Sequence, residues 1–132
     1  MFTFIGLDGK KYPLDTRESR HPMREEGACK SKFQYECGQL IKAKWPNETI
    51  LEEVSVPGHK LIFDFFLPKI GIVFEIDGSQ HKNFNKFFHG NRSNFVRSQV
   101  RDAQKATLCK NNRWILINID SIDQLKEILE NA

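Results

Sequence analysis

The sequence predicts an α/β (α+β) fold, in which one layer of mixed β-sheet carries helices on its faces. Three observations predict it. First, three short apolar segments separated by tight turns lie between residues 50 and 77. Second, stretches with apolar residues at helical spacing flank these segments. Third, another apolar segment follows the second helical stretch. The chain has 132 residues, 39% of them hydrophobic and 28% charged, which suits a single domain with one core.

The first thirty residues are expected to precede the core. In the stretch "MFTFIGLDGKKYPLD" apolar residues alternate on both sides of Asp-Gly, which predicts a β-hairpin. The polar stretch "TRESRHPMREEGACK" predicts a connecting loop. We expect no signal peptide, because the apolar part is short and precedes the charges. No apolar run reaches the roughly 18 to 20 residues of a membrane span, so a cytoplasmic location without membrane contact is the default expectation.

The core is expected over residues 31–120. Ser31 is placed to cap a helix through "SKFQYECGQLIKAKW", which Pro46 ends. The segments "ILEEVSV", "LIFDFFL" and "IGIVFEID" predict three strands of an antiparallel meander. A second helix is predicted from about Arg92 to Lys110, ending at an asparagine of "NNR". Its inward residues are expected to be Phe95, Val96, Val100, Ala103, Ala106 and Leu108.

Two elements complete the chain. The segment "WILINID" is apolar on both faces, which predicts a central strand parallel to one of the meander strands. The segment "SIDQLKEILENA" predicts a C-terminal helix over residues 121–132, capped by Ser121. The expected whole is a four-stranded mixed sheet flanked by helices in the order α-β-β-β-α-β, with an N-terminal hairpin and a C-terminal helix.

Charge and cysteine content restrict the function classes. The net charge is +3, but from Lys82 to Arg113 eight basic residues stand against Asp102 alone, a local charge of +7. This block predicts a polyanionic partner, with a solvated helix face as the alternative. Three cysteines without an export signal favour reduced thiols over a zinc site that uses Cys29 and Cys37.

Three carboxylates lie in the meander. Asp64 and Glu75 lie on adjacent strands of the predicted hairpin, within a few residues of each other, and Glu75 and Asp77 share a face. Buried like charges repel and are costly to desolvate, which a partner Lys or Arg or a divalent cation would relieve. We expect a divalent cation, and oxygen ligands favour Mg²⁺ or Mn²⁺. Solvent-facing acids are the alternative. Alternation places one of Glu52 and Glu53 outward, and neither is assigned to the site.

These residues resemble the PD-(D/E)XK nuclease superfamily over roughly residues 31–120. That resemblance implies a restriction-endonuclease-like core, with Asp64 as the motif aspartate, Glu75 as the motif glutamate and Glu36 as an upstream helical acid. Asp77 stands where the motif has lysine. The segments "EIDGSQH" and "VRDAQKATLCKNNRWILINI" instead resemble the small group related to very-short-patch repair endonucleases, which carries a Glu-x-Asp-Gly-x-x-His signature.

The resemblance implies roles for single residues. Asp64, Glu75, Asp77 and Glu36 are the expected metal ligands. Without the motif lysine, His81 is a candidate proton-transfer group and Lys105 a candidate replacement lysine; a surface ion pair of Lys105 with Asp102 is the alternative. The expected nucleic-acid contacts are Gln80, Lys82, Lys86, Arg92, Arg97 and Arg101.

The implied function is a Mg²⁺-dependent DNA endonuclease that hydrolyses phosphodiester bonds, with DNA repair or recombination as its setting. One alternative is a structure-selective resolvase that cuts branched DNA as a homodimer. Another is a non-catalytic nucleic-acid-binding subunit of a recombination or transposition complex, which the missing motif lysine favours. The sequence does not separate DNA from RNA as the substrate.

Overall fold

The computed structural model describes residues 2–77 and 92–132. In these ranges no helix has both the length and the apolar character needed to cross a membrane. The elements in chain order are β1 (Phe2–Ile5), β2 (Lys11–Leu14), α1 (Lys32–Lys44), β3 (Leu51–Ser55), β4 (Ile62–Leu67), β5 (Ile72–Ile76), α2 (Arg92–Asn111), β6 (Ile115–Ile119) and α3 (Ile122–Glu130).

The main sheet has the strand order β3-β4-β5-β6. Strands β3, β4 and β5 pair antiparallel, which confirms the predicted meander, and β6 pairs parallel to β5 after the α2 connection, as predicted. The expected central position of β6 is wrong, because β6 is an edge strand of the described sheet. It is apolar because both its faces pack into a core, through Leu116 on one side and Ile117 and Ile119 on the other.

Each face of the main sheet has its own core. The hairpin-side core lies between the sheet, the β1–β2 hairpin and the carboxyl end of α2, and the helix-side core lies between the sheet, α1 and α3. Helix α1 comes close to β4 at Gly38, where an added Cβ would lie 2.9 Å from the Phe65 ring. The sheet is therefore covered on both sides, and α1 is held close beside the middle of β4.

Helix ends follow the predicted capping, with one exception. The Ser31 hydroxyl accepts from the Gln34 N–H at 3.0 Å, and the Ser121 hydroxyl accepts from the Gln124 N–H at 3.1 Å. Helix α2 does not end on a left-handed asparagine as expected, because the residue with positive φ is Arg113, at 59°. Asn112 instead uses its side chain to bind the N-terminal hairpin.

The inward face predicted for α2 is wrong at four of its six positions. Val96 and Val100 are 47% and 50% exposed, and Ala103 and Ala106 are exposed as well. The predicted stripe assumed that the sheet covers the whole helix. In the described residues α2 enters the hairpin-side core through its last turns, where Leu108 and Cys109 are buried.

Asn112 joins α2 to the hairpin, which gives a first prediction. Its carboxamide oxygen accepts from the Ile5 N–H at 2.7 Å, and its amide donates to the Ile5 and Leu108 carbonyls, each at 2.8 Å. We expect Asn112→Ala to lower the free energy of unfolding by about 1–3 kcal/mol, because partly buried backbone groups lose their partners. Urea denaturation measures this loss.

Asn111→Ala is the matched control for that prediction. The Asn111 amide makes a longer bond, at 3.5 Å to the Gly6 carbonyl, and bonds of this length contribute little. Equal losses of stability in the two variants would contradict the role assigned to Asn112.

Candidate active site

The acid pair predicted from the sequence forms as expected. The pairing of Phe65 with Phe74 places Asp64 opposite Glu75 on β4 and β5. The Glu75 carboxylate accepts from the Asp64 N–H at 3.0 Å, and the Asp64 carboxylate accepts from the Ile76 N–H at 2.7 Å. Each acid is therefore held by the backbone of the opposite strand, and both are buried.

A lysine from α2 reaches the acid pair. The Lys105 ammonium donates to Glu75 Oε1 at 2.5 Å, and its side chain is only 14% exposed. This contact brings Lys105 to the site, as the resemblance implied. The exposed ion pair with Asp102 that was the alternative requires a solvent-facing lysine, which the burial of Lys105 does not fit.

A second lysine, Lys30, was not predicted from the sequence and lies near Asp64. The Lys30 ammonium is 3.6 Å from Asp64 Oδ1 and 3.1 Å from Glu53 Oε1. Its side chain is 53% exposed, in contrast to that of Lys105. The acid pair therefore has one buried cation and one half-exposed cation as neighbours.

Burial is the largest cause of the raised pKa of both acids. Burial and the nearby Asp64 charge raise the pKa of Glu75 to about 7, although Lys105 acts in the opposite direction. Burial also raises the pKa of Asp64, against the hydrogen bond from the Ile76 N–H and the charge of Lys30. Two carboxylates that resist ionisation together are typical of a site that binds a cation or transfers a proton.

The acids open onto a cavity of about 510 Å³. Its walls come from the start of α1, the ends of β4 and β5, and the middle of α2. The lining residues are Lys30, Ser31, Phe33, Gln34, Asp64, Glu75, Ile76, Asp77, Ser98, Arg101, Asp102 and Lys105. Asp77 and Arg101, both predicted site residues, therefore share this cavity with the acid pair.

Glu36 is the predicted ligand that the structure does not bring to the acids. It is exposed on α1, whereas the buried side of α1 carries Gln34, Cys37, Gly38 and Ile41. Glu36 lies two positions after Gln34, and two positions turn an α-helix by more than half a circle. The residues of this helix that line the cavity are Phe33 and Gln34.

The other predicted contacts differ in their positions. Arg97 is exposed and lines a separate groove beside the turn at His59. Arg92 is the first residue of α2. The remaining predicted residues lie outside the described ranges: Gln80, His81, Lys82 and Lys86.

Glu53 is a site residue that strand alternation could not identify. Its φ is +53°, a left-handed value inside a strand, and it lies opposite Asp64 in the register of β3 and β4. The period of two breaks here, since Leu51 and Val54, three positions apart, pack in the same core. As a result neither Glu52 nor Glu53 points outward, and the expectation that one of them does is wrong. Both carboxylates accept a hydrogen bond from the Gln34 amide, Glu52 at 2.9 Å and Glu53 at 3.0 Å.

Glu52 fixes the loop that carries Lys30. This buried carboxylate accepts from the Arg24 N–H at 2.7 Å, and the Cys29 thiol lies 3.5 Å from it. Burial and the Glu52 charge raise the pKa of Cys29 to about 11, so this thiol is protonated at neutral pH. The three cysteines are free. Glu52 therefore ties residues 24–29 to the edge of the sheet, immediately before Lys30.

The oxygen ligands fit a small hard cation. In the portion of the chain that is described, no group of three or more His, Cys, Asp or Glu side chains is arranged to hold a metal. Mg²⁺, however, is commonly bound by one or two carboxylates together with water and substrate phosphate. Asp64 and Glu75, which lie opposite each other on adjacent strands, supply such a pair.

The raised pKa of Glu75 gives a prediction for the metal-free protein. An acid that titrates near 4.5 when unfolded and near 7 when folded favours the folded state at low pH. We expect the free energy of unfolding in EDTA to fall by up to about 3 kcal/mol as pH rises through this window. Urea denaturation from pH 4.5 to 8 measures the slope, which should be flatter in Glu75→Gln. Equal slopes in both proteins would contradict the assignment.

The fold and the site define a class of protein: an α+β chain whose mixed sheet carries a buried acid pair between two lysines. No family model matches the chain, and no solved structure matches it. Among curated proteins, uncharacterized protein 033L of Invertebrate iridescent virus 3 is 37% identical over 73 residues, which are 55% of this chain and 38% of that protein. Uncharacterized protein 307L of Invertebrate iridescent virus 6 is 36% identical over 59 residues, 45% of this chain and 30% of that protein. The matches thus span less than two fifths of the length of each of these relatives.

Proposed function

We propose that the chain is a metal-dependent DNA endonuclease that hydrolyses phosphodiester bonds. The observation that carries the proposal is the buried Asp64–Glu75 pair, which opens onto a cavity with cationic side chains in its walls. A phosphodiester substrate needs positive charge to approach two acids, and Lys30 before α1 and Arg101 and Lys105 on α2 supply it. A restriction-endonuclease-like core is part of the proposal, and the mixed sheet with its α2 connection supports it.

The proposed cofactor is Mg²⁺ or Mn²⁺, held by Asp64 and Glu75, with Asp77 beside them in the same cavity. Such a cation polarises the scissile phosphate and lowers the pKa of a bound water. Lys105 orients the Glu75 carboxylate through its hydrogen bond and offsets part of its charge. Arg101 is placed to bind a phosphate of the substrate. His81 is retained in the proposal as the proton-transfer group.

A panel of substrates tests the proposed function. Plasmid, single-stranded DNA, flap, four-way junction, mismatched duplex and RNA are incubated with Mg²⁺, with Mn²⁺ and with EDTA. We expect nicking or cutting of DNA with either metal ion and none with EDTA. A junction that is cut much faster than linear duplex would support the branched-DNA alternative and a homodimer. No cleavage of any substrate would contradict the endonuclease proposal.

One observation favours a second candidate, a non-catalytic nucleic-acid-binding subunit. Both acids already have protein cations nearby, Lys105 for Glu75 and Lys30 for Asp64, and a nearby opposite charge favours the ionised form of an acid without a metal. Isothermal titration calorimetry with Mg²⁺ and Mn²⁺ separates the two candidates. The endonuclease requires a divalent-ion site that Glu75→Gln removes, whereas the binding subunit requires DNA binding without such a site.

A further inference from the structure

Lys30 differs from Lys105 in what its ammonium can still contact. Lys105 is largely buried, and its contact with Glu75 is an internal ion pair. Lys30 is half-exposed in the cavity wall, and its distances to Glu53 and Asp64, 3.1 and 3.6 Å, are longer. An ammonium has three donors that rotate freely, so Lys30 can bind a ligand oxygen from the cavity while it stays beside the acids.

The position of Lys30 is set by buried groups rather than by chance surface contacts. Glu52 anchors the preceding loop through the Arg24 N–H. Glu53 accepts from Gln34, which is 3% exposed, and its other oxygen lies against Lys30. To do so Glu53 adopts a left-handed φ of +53° in the middle of β3. Strain of this kind persists where the surroundings enforce it, often at functional sites.

The charge of the cavity indicates what Lys30 would bind. Four of the lining residues are acids and three are bases, so the bases do not outnumber the acids in this wall. An anionic substrate therefore needs a cation that is free to face it. Lys30 also lies next to the amino end of α1, whose dipole favours an anion on the same wall.

We infer that Lys30 binds a phosphate oxygen of the nucleic-acid substrate beside the acid pair, and that Glu53 is the positioning residue that holds Lys30 there. The inference rests on the proposed function and assigns it a residue outside the motif of the resembled family. Glu53 acts through Lys30 and does not itself contact the substrate. Neither residue could be identified from its place in the sequence, because the loop and the strained strand bring them together.

The first experiment measures binding of a fluorescein-labelled DNA duplex by anisotropy over a series of salt concentrations, with Ca²⁺ in place of Mg²⁺. We expect Lys30→Met to reduce the slope of log affinity against log salt by about one, because one phosphate contact is lost. Lys32→Met is the matched control. Lys32 is exposed at the start of α1 and is not among the residues that line the cavity, so its slope should match the wild type.

The second experiment measures cleavage with Mg²⁺. We expect Lys30→Met to lower kcat by about 10- to 100-fold, as for the loss of a hydrogen bond to a charged group, and Lys30→Arg to restore part of it. Glu53→Gln should lower kcat less. The double variant should equal Lys30→Met alone, because Glu53 acts only through Lys30. Multiplicative losses would overturn the positioning role, and faster cleavage by Lys30→Met would overturn the phosphate contact.

The outcomes separate this inference from the proposed function. If the wild type cleaves DNA and Lys30→Met behaves like Lys32→Met in both assays, the inference fails and the endonuclease stands. If the wild type binds DNA without cleaving it, the endonuclease fails, and the salt slope alone decides whether Lys30 contacts phosphate. If the wild type binds no DNA, both fail. Thermal melting of each variant checks that the fold is retained, and Lys30→Arg keeps the test valid if Lys30→Met unfolds.

Discussion

Asp64→Asn and Glu75→Gln are each expected to lower Mg²⁺-dependent DNA cleavage by about a thousandfold or more, since the divalent-ion site loses a charged ligand. Both changes keep the shape of the side chain. An amide oxygen can still accept from the Ile76 N–H at position 64 and from the Asp64 N–H at position 75. The fold should therefore survive, and time courses of plasmid nicking measure the loss directly.

Glu127→Gln is the matched control for those variants. It makes the same chemical change as Glu75→Gln, at an exposed position of α3 far along the chain from the acid pair. Glu36→Gln is a further comparison. Because Glu36 is exposed and does not line the cavity, we expect it to cleave like the wild type. Cleavage retained in both Asp64→Asn and Glu75→Gln would refute the proposed site.

Phe66→Ala is expected to lower the free energy of unfolding by about 3–5 kcal/mol. Phe66 is fully buried in the hairpin-side core. Its ring centroid lies 4.7 Å from that of Trp114 and 5.9 Å from those of Phe2 and Phe63. Truncation removes ring contacts to β1, to β4 and to the segment after α2, and leaves a cavity between them. Urea denaturation at fixed pH measures the loss.

Phe66→Leu separates the cavity from the loss of aromatic contacts. Leucine keeps most of the buried apolar volume, so we expect a smaller loss in the free energy of unfolding. This loss should be about 1–2 kcal/mol, as for other changes of shape in a packed core. A loss as large as that of Phe66→Ala would show that ring geometry, and not volume, holds the hairpin to the sheet. A negligible loss in Phe66→Ala would contradict the packing described for this core.

The acid pair could be predicted from the sequence because its geometry is local. Strands β4 and β5 are adjacent in the chain and a tight turn joins them, so Asp64 and Glu75 come within a few residues of each other, although their direct pairing was not predicted. The caps at Ser31 and Ser121 are local as well, since each hydroxyl accepts from a residue three positions later. Where the determining contacts lay within one hairpin or one helical turn, the sequence was enough.

The site residues that could not be predicted from the sequence depend on contacts between distant segments. Lys30 reaches the acids because Glu52, 28 positions after Arg24, anchors the loop before it. Glu53 reaches the site because its backbone has a positive φ. Glutamate rarely adopts such a value, so it could not be predicted from the residue type. The edge position of β6 was also hidden, since a strand covered on both faces reads as apolar wherever it lies in the sheet.

The connection through α2 has a kinetic consequence for how the site assembles. Glu75 and Lys105 are separated by 30 positions, and the parallel pairing of β5 with β6 forms only after that long loop closes. The β4–β5 hairpin is local and forms quickly, whereas pairing over a long separation is slow. During folding we therefore expect the two acids to meet before the buried lysine arrives, so that the ion pair of Lys105 with Glu75 forms with the last crossover.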